Sequence, residues 1–344
     1  MTAASDPHAE RRRRWRDFLD LRLPPRSLFL VDVQGAPERP FPFPENRRAR
    51  IDWALSAHER SLSIAEWLAD DRVPCLPVYT GTEIFAEAFG CRVHRPADNM
   101  PFALPLVSDA REAAALKRPG LDARPLAELF GIADELVERA GKDAVLQIPD
   151  MQSPLDVAAL IWEKGDFYMA LVDEPETVLG LCAKILSLQT EFFDVWFGRY
   201  GHAYAAHYPS YYMEGGLTVS EDEVGAVDRA MFEKFALPDL TALSDHFGGL
   251  GMHCCANARH QWEGFQRIPN LRLLNLVQPN DVLDDAHRAF AGATCQYHNW
   301  TGRGEPWTWP AQTPAGARIV FEAPAVDREE ALRIAEGFAR ALGR

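Results

Sequence analysis

Along the 344 residues of this chain, short β-prone apolar runs alternate with longer amphipathic ones, a rhythm that predicts an α/β fold built on a parallel sheet. About eight such strand–helix units follow one another, the number of a single closed (β/α)8 TIM barrel, here with an N-terminal helical extension. No Ser/Gly linker, low-complexity tract or internal repeat interrupts the sequence. One domain is therefore expected over 1–344, with the N-terminal helix at about 9–21 and the barrel at about 27–342.

The elements read in order as follows. The first helix, roughly Ala9 to Leu21, carries the basic run Arg11-Arg12-Arg13-Arg14-Trp15-Arg16 followed by Phe18, Leu19 and Leu21, and the run reads as a solvated face. Ser27 to Val33 is a continuous apolar run of strand length. From about Asn46 to Ala69, Ile51, Leu55, Leu62 and Ile64 recur at helical spacing. Val73 to Tyr79 reads as a strand interrupted by proline, and Asp143 to Ile148 as the clearest central strand. Pro154 opens a helix, with Asp150 a candidate cap. Asp173-Glu174-Pro175-Glu176 places acids and a proline in the first turn of a helix through Val178 to Phe193. Further strands are expected at Ala203–Tyr208, Gly249–Cys254, Leu271–Val277, Ala293–Tyr297 and Arg318–Phe321. Ala325 to Glu330 caps a final helix reaching about Leu342.

Composition bounds the partners. A hydrophobic fraction of 47% and a charged fraction of 25% are those of an ordinary globular protein. The net charge of −14 argues against nucleic acid or an anionic membrane surface as the main partner. No apolar segment is long enough to span a bilayer, and no signal-peptide core is seen. Six cysteines in so long a chain do not form a secreted disulfide framework. A cytoplasmic protein with reduced thiols is expected.

The stretch richest in chemistry is Gly251-Met252-His253-Cys254-Cys255-Ala256. Side chains alternate along a strand, so His253 and Cys255 leave on one face and Cys254 on the other. An imidazole nitrogen and a thiolate suit Zn2+, which needs one or two further ligands. In a barrel, function belongs at the C-terminal ends of the strands. Polar residues expected there are Asp32, Gln34, Tyr79, Asp150, Gln152, Tyr211, Tyr212, His253, Cys255, Asn275, Gln278, His298, Asn299 and Glu322.

The order of several segments resembles the uroporphyrinogen decarboxylase superfamily, which includes zinc-dependent corrinoid methyltransferases. They are Ala86-Glu87-Ala88-Phe89-Gly90-Cys91, Ile148-Pro149-Asp150-Met151-Gln152-Ser153-Pro154, Asp173-Glu174-Pro175-Glu176-Thr177-Val178, Ser220-Glu221-Asp222 followed by Phe235-Ala236-Leu237-Pro238, His253-Cys254-Cys255, and Ile268 to Asn275. The resemblance runs from about Arg14 to the C-terminus. True uroporphyrinogen decarboxylases carry an Arg-rich loop near the N-terminus, whereas Asp32 to Pro40 holds a single Arg and two acids. A porphyrinogen with eight carboxylates needs several forked cations, so a typical uroporphyrinogen decarboxylase is not expected.

The methyltransferase branch uses a His-x-Cys pair, matched by His253 and Cys255, and a later third ligand, usually Cys, on the last strand. That strand has no cysteine here. Glu322 stands in the place of the third ligand, with Cys295 or His298 one strand earlier as alternatives. The resemblance thus implies a zinc-dependent methyltransferase that moves a methyl group between a corrinoid, carried on a separate protein, and a small thiol or other acceptor. Asp150 and Asn275 would position substrate or ligands, with Gln152, Tyr79, Tyr211 and His298 also facing substrate. The runner-up is a metal-independent decarboxylase or lyase using Asp32 or Asp150. A third reading is a non-catalytic barrel binding a tetrapyrrole or other aromatic ligand, with Trp300, Trp307 and Trp309 lining its mouth.

Overall fold

The computed structural model describes residues 8–344. Among them twelve strands form: β1 (Leu28–Val33), β2 (Cys75–Leu76), β3 (Arg92–His94), β4 (Phe102–Leu104), β5 (Val145–Leu146), β6 (Ala203–Ala205), β7 (Tyr212–Glu214), β8 (Leu217–Ser220), β9 (Leu250–Cys254), β10 (Leu271–Leu276), β11 (Cys295–Gln296) and β12 (Val320–Ala325). Helices separate most of them, the longest being Arg47–Trp67, Arg124–Ala140, Pro175–Tyr200 and Arg328–Ala341. The architecture is mixed α/β.

Parallel pairing follows chain order. β8, β9, β10 and β11 lie side by side, β2 pairs with β5, and the last strand β12 runs parallel to β1 from Leu28–Val320 to Val33–Ala325. Isolated parallel bridges join Gln147 to Ala205, Gln152 to Ser220 and Gln296 to Ile319. β3–β4 is an antiparallel hairpin set into this series, while β6, which joins the series through the Gln147–Ala205 bridge, also pairs antiparallel with β7. The ladders form five separate sheets rather than one continuous ring. Pro74 and Pro77 explain part of this. They flank β2 and have no N–H to donate, which holds its ladder to two residues.

Between β1 and the approach to β2, side chains take over from a ladder. The amides of Phe29 and Val31 donate to the carboxylates of Asp71 and Asp70. Arg14 and Arg344 pair with buried Asp71, and Arg11 donates to the carbonyls of Asp70, Leu68 and Ala65. The basic run of the first helix is therefore only partly a solvated face. Arg13 pairs outward with Glu10 and Asp17, while Arg11 is buried.

The expected long helices form, and six further ones of five residues or more come in addition, among them Arg124–Ala140 and Asn280–Ala289. The helix opening at Pro154 is capped by Ser153, whose Oγ accepts the amide of Asp156 at 3.0 Å, and not by Asp150. Trp309 packs against Phe338 of the last helix, Trp307 lies against Gly337 of the same helix, and Trp300 packs on Phe321. None of the three tryptophans lines the cavity that His253 borders, although Trp300 lines a separate one with Asp284 and His287.

Two buried histidines stack behind β10 and β11, His287 and His298, with ring centroids 5.3 Å apart. Burial pushes His287 down to about 4 and His298 well below the ordinary imidazole value. The unfolded chain therefore takes up these protons first, so stability is full above about pH 6.5 and falls as pH drops towards 4. His287 alone contributes on the order of 3 kcal/mol to that fall. The melting temperature is expected to drop steeply over this range, and His287→Gln to show a flatter pH profile. Identical profiles for the two proteins would contradict the assignment.

Candidate metal centre at the strand ends

The registers of β8, β9 and β10 set Ser220, His253 and Asn275 side by side in one row, and paired residues of parallel strands lean to the same face. His253 is half-buried in this row, Cys254 is fully buried, and Cys255 is exposed just past the end of β9. Asp222 follows β8. A carboxylate oxygen of Asp222, a ring nitrogen of His253 and Sγ of Cys255 lie within 4.8 Å of one another.

The tautomer of His253 follows from its neighbour. The Asn275 amide nitrogen donates to the carbonyl of Tyr297, which turns Oδ1 of Asn275 towards His253. That oxygen can only accept, so the His253 nitrogen 2.5 Å away, Nδ1, carries the proton. Nε2 is left as the lone-pair donor. Such a fixed outer partner is the usual support of a metal-binding histidine. The edge of the Tyr208 ring packs against the imidazole at 4.8 Å between centroids.

Asp222 is held just as firmly. Its Oδ1 accepts the amides of Cys255 at 2.6 Å and Ala256 at 3.3 Å, which ties the loop after β8 to the loop after β9. Its own amide, and that of Glu223, donate to the buried carboxylate of Asp156. Behind Asp156 stands the fully buried Glu221. Burial, then the charge of Asp156 and a hydrogen bond to it, pushes Glu221 well above the ordinary carboxylate range. Glu221 thus holds a proton and donates it to Asp156, since two carboxylates this deep cannot both stay charged.

The donor set fits a zinc ion. One nitrogen, one sulfur and one oxygen with a fourth position open is the pattern of a catalytic site. Tetrahedral coordination would bring the three atoms to roughly 3.5 Å from each other, a closure on the order of 1 Å. Without a cation, partial burial and the Asp222 charge push the Cys255 thiol up to about 12. A bound cation reverses that logic, because a coordinating thiol is deprotonated outright.

Beside this group opens a cavity of about 430 Å3, whose wall includes His253, Asp222, Asp150, Gln152, Tyr79 and His207. At its other end Arg39 stacks over the Tyr79 ring at 3.7 Å, and the Tyr79 hydroxyl donates to Met100 Sδ. Of the residues expected from sequence, the structure gathers His253, Cys255, Asn275, Asp150, Gln152 and Tyr79 at this end of the strands.

The others lie elsewhere. Glu322 is bound by Arg72 at 2.8 Å and by the Tyr297 hydroxyl at 2.7 Å, and is not part of the group formed with His253 and Cys255. The strand was expected to end at Phe321, which would leave Glu322 at its lip. β12 in fact continues to Ala325, so Glu322 sits mid-strand opposite Leu30. His298 accepts the Leu276 amide at Nδ1 and bonds Gln296 through Nε2, so both nitrogens are occupied inside the core. Cys295 is buried, its thiol donating to the carbonyl of Phe18. Tyr211 stacks on Trp15 and lines a separate cavity of about 130 Å3 with Arg72. Asp32 is exposed at the end of β1 and does not line the larger cavity.

Asp222, Ser220 and His207 were not among the expected site residues. A signal was present: Leu217-Thr218-Val219-Ser220 is a short β-prone run directly after Gly215-Gly216, and Asp222 follows it as His253 and Cys255 follow their own run. His207 stood inside the expected strand Ala203–Tyr208, but β6 ends at Ala205, and His207 lies just beyond it on the cavity wall.

No family model matches the sequence, and no curated protein matches it. Among solved structures the chain is similar to a methyltransferase from Methanosarcina mazei, with a TM-score of 0.65 and 12% identity over 97% of this chain and 98% of that one. At that identity the likeness establishes a shared fold across essentially the whole chain. Among the described residues no helix is long and apolar enough to cross a membrane.

Proposed function

We propose that this chain is a zinc-dependent methyltransferase on a single (β/α)8 barrel, moving a methyl group between a corrinoid or similar donor and a small thiol at the C-terminal ends of the strands. The observation that carries the reading is the Asp222–His253–Cys255 group, of which Asp222 and His253 line the 430 Å3 cavity. The shared fold with a methyltransferase supports it. His253, Cys255 and Asp222 would hold the cation, whose Lewis acidity keeps a thiol nucleophilic near neutral pH.

The rest is the work of the chain. Asn275 fixes the His253 ring, Asp156 and the Cys255 amide fix Asp222, and the Tyr208 ring packs on the imidazole. The cavity walls hold acceptor and donor within reach for in-line displacement. The corrinoid would arrive on a separate carrier protein. Of the two acids considered for a metal-independent decarboxylase, only Asp150 faces the cavity, and no observation favours that reading.

The test is methyl transfer from methylcobalamin to a panel of small thiols by the zinc-loaded protein, followed by the corrinoid spectrum. Thiol-dependent demethylation that chelation abolishes is the expected result. Full activity after chelation, or none across the panel with zinc bound, would contradict the proposal.

A further inference from the structure

We propose that His207, acting through the Ser220 hydroxyl, is the base that removes the proton from the methyl acceptor as it enters the site; this rests on the methyltransferase reading above. His207 follows β6, its side chain is 4% exposed, and it lines the cavity shared with His253 and Asp222. Its Nε2 is 2.9 Å from Ser220 Oγ and 3.4 Å from Asp150 Oδ1, and its Nδ1 is 3.3 Å from Thr218 Oγ1. Ser220 stands directly opposite His253 in the β8–β9 register, so its hydroxyl bonds the His207 imidazole from the row that carries His253.

Ser, His and Asp are the residue types of a hydrolase triad, yet Ser220 and Asp150 reach the same ring nitrogen. The acid therefore does not hold Nδ1, as a nucleophilic triad requires. The arrangement suits proton transfer instead. Hydroxyls donate or accept by rotating, so Ser220 and Thr218 satisfy the ring in both its neutral and charged forms. Gln147 pins the segment by donating to the carbonyls of Ala206 and His207. Burial is the strongest influence on the ring and disfavours the imidazolium; of the titratable groups facing it, Asp150 favours the charged form and a protonated His253 would oppose it.

In the step, the acceptor's S–H bond breaks and its electron pair stays on sulfur. The proton passes to Ser220 Oγ as the hydroxyl's own proton moves to the lone pair of His207 Nε2. The products are a thiolate and an imidazolium balanced by Asp150, which is 24% exposed and hands the proton to water.

The test uses cobalt(II) in place of zinc and 2-mercaptoethanol as the acceptor, with stopped-flow recording of the sulfur-to-cobalt charge-transfer band. His207→Gln is expected to bind cobalt as the parent does and to load thiol about 100-fold more slowly at pH 7. The two rates should converge above the thiol's own pKa, where no base is needed. Ser220→Ala, which leaves the imidazole in place, should be slowed in the same pH-dependent way, and it decides the matter should His207→Gln fail to take up cobalt. Parent-like loading at pH 7, or a slowing of equal size at every pH, would overturn the proposal. A parent protein that takes up no cobalt would overturn the metal reading itself, and this proposal with it.

Discussion

Replacing Asp222 by Ala is expected to empty the metal site, while replacing Glu322 by Ala leaves it filled. Asp222 supplies the oxygen of the three-residue group and also braces the backbone of Cys255. Loss of an outer partner of a metal ligand typically weakens binding 10- to 100-fold, so loss of the ligand itself should cost on the order of 100-fold or more. After chelator washing, zinc should fall from about one per chain to under a tenth in Asp222→Ala, and likewise in His253→Ala and Cys255→Ala. Glu322 holds Arg72 and Tyr297 instead. Zinc retained in Asp222→Ala and lost in Glu322→Ala would return the third ligand to the last strand.

The second large effect is expected at Asp156, which does not line the cavity. Its carboxylate accepts the amides of Asp222 and Glu223 and the proton of Glu221, all below the loop that carries Asp222. Removing one member of a buried polar cluster leaves the others without partners, at a cost of about 3–5 kcal/mol. Asp156→Ala should therefore unfold at a markedly lower denaturant concentration and bind zinc more weakly, because Asp222 loses its anchor. Asp156→Asn keeps an acceptor for one of the amides and should lie between the two. An unchanged denaturation midpoint for Asp156→Ala would show that the cluster does not brace the site.

The sequence made the strand–helix alternation legible because continuous runs such as Leu28–Val33 and Leu271–Leu276 are apolar along their length. It was less clear where β-prone residues are few. β2 lies between prolines, and β8 opens behind two glycines. The His253–Cys255 pair was readable because alternation along one strand is local. The third member was not, since it depends on which strand lies beside β9 and where that strand ends. Reading β12 as ending at Phe321 made Glu322 a lip residue. Leaving β8 unread hid Asp222, which stands beside His253 only through the parallel register of Ser220 with His253. His298 failed for a different reason. Its position after β11 suggested a mouth residue, but a hydrogen bond from the Leu276 amide turns its ring into the core.

The most direct test is zinc K-edge X-ray absorption of the zinc-loaded protein. One sulfur at about 2.3 Å with the remaining ligands nitrogen or oxygen at roughly 2.0–2.2 Å is the predicted shell. Two sulfurs, or none, would contradict a site built from Asp222, His253 and Cys255.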